Sequence, residues 1–174
     1  SVNVVVHGHE PALSEMLASA SQDPEIIQAA KDVGASGITL AGICCTANEI
    51  LMRHGIPVAG NFLQQELAVI TGAVETMIID VQCCMPSLPD IASSYHTKIV
   101  STSEIAKTEG AEHKEFSARD AYNNAKSILL ESIDNFKNRN KDKVMIPDDS
   151  KPLVAGFSVE AIKYMLGGTF RASF

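Results

Sequence analysis

Short apolar runs of strand length alternate along this chain with stretches whose apolar residues recur every three to four positions. The runs fall at residues 2–6, 38–43, 77–81, 98–100 and 153–157. Between them the 3.6-residue period predicts helices. Residues 11–20 carry Leu13, Met16, Leu17 and Ala20 on one face, and residues 24–33 open on Pro24 and stop before Gly34. Thr46 and Glu49 have capping-box spacing ahead of Ile50, Leu51 and Met52, with His54-Gly55 as the stop. Residues 61–71 read as a helix with Phe62, Leu63, Leu67 and Ile70 turned inward, and 86–94 as a short helix. From Ser117 onward Ala121, Ala125, Ile128, Leu129, Ile133 and Phe136 keep the helical period, with Ser117 and Asp120 placed to cap its start. Residues 137–143 read as a solvated turn, 158–166 as a last helix, and Met145 and Met165 as core filling. Five or six strands separated by helices make an α/β pattern: a mostly parallel, doubly wound sheet with helices on both faces. No internal repeat interrupts it, and residues 1–174 read as one domain.

The ends of three of these strands carry the chemistry. His9 follows the first run, Cys44-Cys45 the second and Cys83-Cys84 the third. In an open α/β sheet, ligands bind at the carboxyl ends of strands, where the strand order reverses. Imidazole and thiolate are donors that iron, nickel and zinc accept readily. One histidine and two cysteine pairs delivered to one crevice read as half of a metal site, with His9, Cys45 and Cys83 singled out by closing the strands. Any one of these cysteines alone would read as a small buried hydrophobe. A disulfide between adjacent cysteines is strained, and the absence of C-x-x-C removes a zinc ribbon or a thioredoxin-like motif. His54, His96 and His113 read as surface or capping histidines.

Composition narrows the field. Of 174 residues, 45% are hydrophobic and 20% charged, the balance of an ordered globular protein. A formal net charge of −7 disfavours nucleic acid or an anionic membrane as the main partner. No apolar run has the ~20 residues that cross a bilayer, and no signal peptide opens the sequence. The abrupt start on a strand and the stop at Phe174 read as an excised part of a larger cytoplasmic protein. Neither G-x-G-x-x-G nor a P-loop is present, so no Gly-rich phosphate cradle is expected. There is no G-x-S-x-G elbow, and a hydrolase built on Cys45 with His9 would not call for doubled cysteines.

The segments His7-Gly8-His9-Glu10-Pro11, Gly42-Ile43-Cys44-Cys45-Thr46-Ala47-Asn48-Glu49 with its continuation to Pro57, Val81-Gln82-Cys83-Cys84-Met85-Pro86, and the stretch from Val154 to Ile162 resemble anaerobic nickel-containing carbon monoxide dehydrogenase. The resemblance covers essentially the whole chain and falls on the middle, Rossmann-like domain of that family, which implies a three-layer fold. It also implies a parent enzyme that interconverts CO and CO2 (CO + H2O giving CO2, two protons and two electrons) at a nickel-iron-sulfur cluster.

Carried over residue by residue, His9 would be the imidazole ligand of the iron outside the cubane. Cys45 would be a thiolate ligand of that same iron, and Cys83 a thiolate ligand of the iron-sulfur part. Cys44, Cys84 and His7 fall beside ligands, not on them. The remaining ligands, the catalytic groups and the cysteines of the [4Fe–4S] relay clusters would lie elsewhere in the parent. The fragment is therefore expected to contain no catalytic residue and, alone, no cluster and no activity. The resemblance further implies a homodimeric parent, working with an acetyl-CoA synthase or a ferredoxin-type electron acceptor. Two alternatives stand beside it: a hybrid-cluster protein that reduces hydroxylamine, whose glutamate ligand this chain replaces by Cys44-Cys45, and a non-enzymatic Rossmann-like scaffold.

Overall fold

The computed structural model describes residues 1–81, 83–149, 152 and 159–167. Val2, Val4 and Val6 of β1 (Val2–His7) point into one apolar layer and Val5 into the other, so β1 is buried on both faces. The next elements are α1 (Pro11–Ala20) and α2 (Pro24–Asp32), each with Pro in its first turn. Each is capped from outside, by the side chains of Glu10 and Asp23. The chain then forms β2 (Ile38–Ile43), α3 (Cys44–His54) and β3 (Val58–Gly60). A 3-10 turn, Phe62–Gln64, leads into α4 (Gln65–Ile70). After it come β4 (Thr76–Ile79), α5 (Leu88–Ala92), β5 (Lys98–Ser101), β6 (Glu112–His113), α6 (Ala121–Asn135) and α7 (Val159–Met165).

Among the described residues the strands form one six-stranded sheet in the order β3-β2-β1-β4-β5-β6, and every pair is parallel. Order reverses between β1 and β4, which makes their carboxyl ends the switch point. Leu13 and Leu17 of α1, Ile26 of α2 and Ile128, Leu129 and Ile133 of α6 close one face of the sheet. Val69 of α4 and Leu88 of α5 help close the other. The fold is therefore α/β in three layers, as the alternation of periods predicts. Burial of each large aliphatic side chain here contributes about 1.5–3 kcal/mol. No helix among the described residues is long and apolar enough to cross a membrane.

Several expectations are corrected. The third strand ends at Ile79, leaving Asp80 and Val81 in the loop. β3 and β6 are three and two residues long, too short to carry a period. The Thr46–Glu49 capping box does not form, because the helix starts three residues earlier, at Cys44, after Ile43 with no side-chain cap. Thr46 instead donates its N–H to Gly8 O at 3.0 Å. A capping box does occur at Asn61 and Gln64. Phe62, Leu63, Leu67 and Ile70 face outward, because α4 buries Gln65, Ala68 and Val69 instead. Met145 and Met165 are exposed, and His96 is buried against Glu75 at 2.8 Å. The strand expected at 153–157 lies outside the described residues, as does the first residue of the helix expected at 158–166.

Candidate metal centre

His9, Cys45 and Cys83 sit just past the carboxyl ends of β1, β2 and β4, three neighbouring strands of one sheet. All three side chains are exposed, and all four cysteines are free thiols. Among the described residues no three His, Cys, Asp or Glu side chains come close enough together to hold a metal ion. The sheet thus brings the three to one edge without closing them into a ligand set.

Two of the loops are held in unusual backbone. Cys44 has φ 61° and Cys83 φ 53°, the only non-glycine residues of the described chain with positive φ. Left-handed backbone costs a side-chain-bearing residue about 1–3 kcal/mol, so it persists where surrounding structure fixes it. At Cys44 the turn sends successive cysteines in different directions. Cys45 reaches solvent, while Cys44 Sγ is half-buried at 3.9 Å from His7 Nε2. Burial, and then the neighbouring Cys83 and Cys45 thiols, push the Cys44 thiol up to about 11. Burial likewise raises Cys84.

His7 is fully buried, and among the described residues its Nδ1 has no hydrogen-bond partner. Desolvation lowers its pKa, opposed by the Gln65 amide and the Asp80 carboxylate nearby.

The histidine loop is fixed by a residue that sequence reasoning left inside a strand. Asp80, 2% exposed, accepts N–H hydrogen bonds from His9 at 2.7 Å, from Glu10 at 2.8 Å and from Val81. Gly8, at φ 138°, faces this carboxylate: a Cβ there would lie 1.7 Å from Asp80 Oδ1. Asp80 therefore crosses the switch point from β4 and clamps the loop that presents His9. The only signal in the sequence was a carboxylate closing an apolar strand. Gln65, fully buried on α4, plays a matching part at the cysteine loop. It donates to Cys83 O and accepts from Met85 N at 2.9 Å. Beside the site an acidic cleft of about 400 Å³ is lined by Glu10, Asp80, Glu104 and Glu115, and reaches neither Cys45 nor Cys83.

An all-parallel sheet of this order defines a Rossmann-like α/β domain, and the thiols and imidazole at its switch point are donors of the kind a transition metal accepts. The chain belongs to the prismane/CO dehydrogenase family, which it matches over residues 1–166. It is 56% identical to carbon monoxide dehydrogenase 1 of Methanosarcina mazei, over 97% of this chain and 27% of the relative. A nickel-free crystal structure of carbon monoxide dehydrogenase from Thermococcus sp. AM4 superposes with a TM-score of 0.89 at 50% identity, covering 97% of this chain and 27% of that one. The beta subunit of carbon monoxide dehydrogenase/acetyl-CoA synthase from Moorella thermoacetica is 46% identical over 95% of this chain and 24% of its own length. The chain spans about a quarter of the relatives it matches.

Proposed function

We propose that these residues are the Rossmann-like domain of an anaerobic, nickel-containing carbon monoxide dehydrogenase, and that His9, Cys45 and Cys83 supply part of the ligand set of its nickel-iron-sulfur cluster. The observation that carries the reading is the delivery of one imidazole and two exposed thiols to the switch-point edge of the sheet, in a chain of this family. The donor set fits the group: thiolates suit iron-sulfur centres, and imidazole with one thiolate leaves an iron room for a further ligand.

When bound, such a cluster activates CO and water for two-electron oxidation. The chain's own part is positional. His9 and Cys45 would share the iron outside the cubane, and Cys83 would hold the iron-sulfur part. Asp80 orients the His9 loop through its backbone N–H groups. Strands β1 and β4, buried almost throughout, and the half-buried β2 beside them give these loops a rigid base, which metal sites need for fixed donor geometry. The 174 residues bring only part of a ligand set, so the isolated domain is expected to assemble no cluster and oxidise no CO. The names of the relatives favour this reading over a hybrid-cluster protein. Membership of a homodimer, a location in the cytoplasm, and partnership with an acetyl-CoA synthase or a ferredoxin-type acceptor belong to the same proposal. A relative named as an acetyl-CoA synthase complex subunit supports the synthase.

The test is metal analysis of the full-length protein purified anaerobically, with dye reduction under CO. The reading expects nickel together with iron and CO-dependent turnover. Iron without nickel would favour the hybrid-cluster alternative, and neither metal would leave a scaffold.

A further inference from the structure

The geometry points to Gln65 as a positioning residue for Cys83, an inference that rests on the cluster-ligand reading above. Cys83 stands in left-handed backbone without being glycine, so something other than its own preference must hold it there. Gln65 meets that need. Its side chain is fully buried, yet it comes from a different element, α4, and spends both ends of its amide on the cysteine loop. Nε2 donates to Cys83 O, and Oε1 accepts from Met85 N at 2.9 Å. The two contacts bracket Cys84, fixing the peptide that joins it to Cys83 at the carbonyl and the one that joins it to Met85 at the N–H.

Gln65 is itself held in register. Asn61 accepts from Leu63 N at 2.9 Å and donates its own N–H to Gln64 Oε1 at 2.8 Å, which pins the turn leading into α4. Ala68 and Val69, one turn further on, are buried against the sheet. A glutamine in this place is costly unless paired; beside its contact with His7, it finds two partners in the loop that carries the thiol. Removing the amide leaves Cys83 O and Met85 N without these partners and frees the turn to relax toward ordinary backbone. The Cys83 thiol then leaves the direction in which the sheet presents it.

The experiment uses the full-length enzyme with Gln65→Leu, Gln65→Glu and Cys83→Ser, each purified anaerobically. Gln65→Leu removes both contacts at similar volume. Gln65→Glu keeps an acceptor for Met85 N but replaces the donor to Cys83 O. Three readouts are taken: iron and nickel per chain with the electron paramagnetic resonance spectrum of the cluster, melting temperature, and the alkylation rate of Cys83 relative to Cys45 in metal-free protein. Residues that orient a metal ligand commonly change metal affinity about tenfold or more when lost. Both Gln65 variants are therefore expected to fold, to lose most of their metal, to show an altered spectrum, and to shift the Cys83 alkylation ratio severalfold.

Wild-type metal content with an unchanged alkylation ratio in folded Gln65 variants would overturn the positioning role. So would failure of both variants to fold, which would assign Gln65 to the core alone. Cys83→Ser separates the two claims. Undiminished metal in that variant would sink Cys83 as a ligand. Metal lost there but retained in both Gln65 variants would sink only the inference about Gln65.

Discussion

Replacing Gly8 by alanine should be among the most damaging small substitutions in this chain, and Asp80 should be the reason. The added Cβ would lie 1.7 Å from Asp80 Oδ1, 2.2 Å from Cγ and 2.6 Å from Oδ2. Asp80 cannot swing aside freely, because it is 2% exposed and accepts from three backbone N–H groups. A hydrogen bond to a charged acceptor contributes about 1.5–3 kcal/mol. His9 is exposed and Glu10 half-exposed, so water can replace part of this. The three bonds together are therefore worth about 3–5 kcal/mol. The φ of 138° adds about 1–3 kcal/mol once a side chain is present.

These figures give about 3–5 kcal/mol for Asp80→Ala and about 4–8 kcal/mol for Gly8→Ala, which displaces the carboxylate as well as straining the backbone. The double variant loses the carboxylate only once. It should be about as stable as Gly8→Ala alone, a coupling of about 3 kcal/mol or more. Urea denaturation followed by circular dichroism, with midpoints compared at a common slope, measures all four corners of the cycle. Additive losses, within about 0.5 kcal/mol, would refute the clamp.

Other outcomes follow from the same structure. Glu75 is fully buried and bound by His96 at 2.8 Å, by Arg139 at 2.7 Å on each oxygen and by Asn3 N. Arg139→Ala should cost about 3 kcal/mol in a urea titration, since it strands a buried carboxylate. Burial alone would raise the Glu75 pKa, but these partners hold it below the usual carboxylate value. A depressed folded pKa gives stability that is present above the unfolded value of about 4.5 and lost as pH falls through the folded one. Unfolding midpoints should accordingly drop below pH 4.5, and less steeply in Glu75→Gln; equal slopes in the two proteins would contradict this. Gly42→Ala places a Cβ 2.4 Å from Ala47 Cα, and should lower stability by about 1–3 kcal/mol on thermal melting because a helix backbone must move.

What the sequence made legible was periodic. β1, β2 and α1 have the apolar spacing of their elements, and the predicted bounds of β2 and α1 coincide with those observed. The placement of His9, Cys45 and Cys83 after three strands could be read the same way. The rest depends on contacts between residues far apart in the chain. Asp80 and Gly8 are separated by about seventy positions, and so are Glu75 and Asn3. Nothing local marks such pairs. Gln65 sat on a face read as polar because Phe62, Leu63, Leu67 and Ile70 claimed the inside; the helix turned the other way, burying an amide where a loop needed it. Thr46 had the local signal for a cap but lost its place to a positive φ at Cys44, a tertiary choice that propensity does not report. The short strands β3 and β6 offer too few residues for any period to register.

The central claim is that His9, Cys45 and Cys83 are cluster ligands, and anomalous diffraction from anaerobic crystals of the full-length protein, collected at the iron and nickel edges, tests it most directly. The account predicts an iron bonded to both the His9 imidazole and Cys45 Sγ, a second iron on Cys83 Sγ, and nickel close by. Iron and nickel held entirely by other residues, with His9 and Cys45 free, would contradict it.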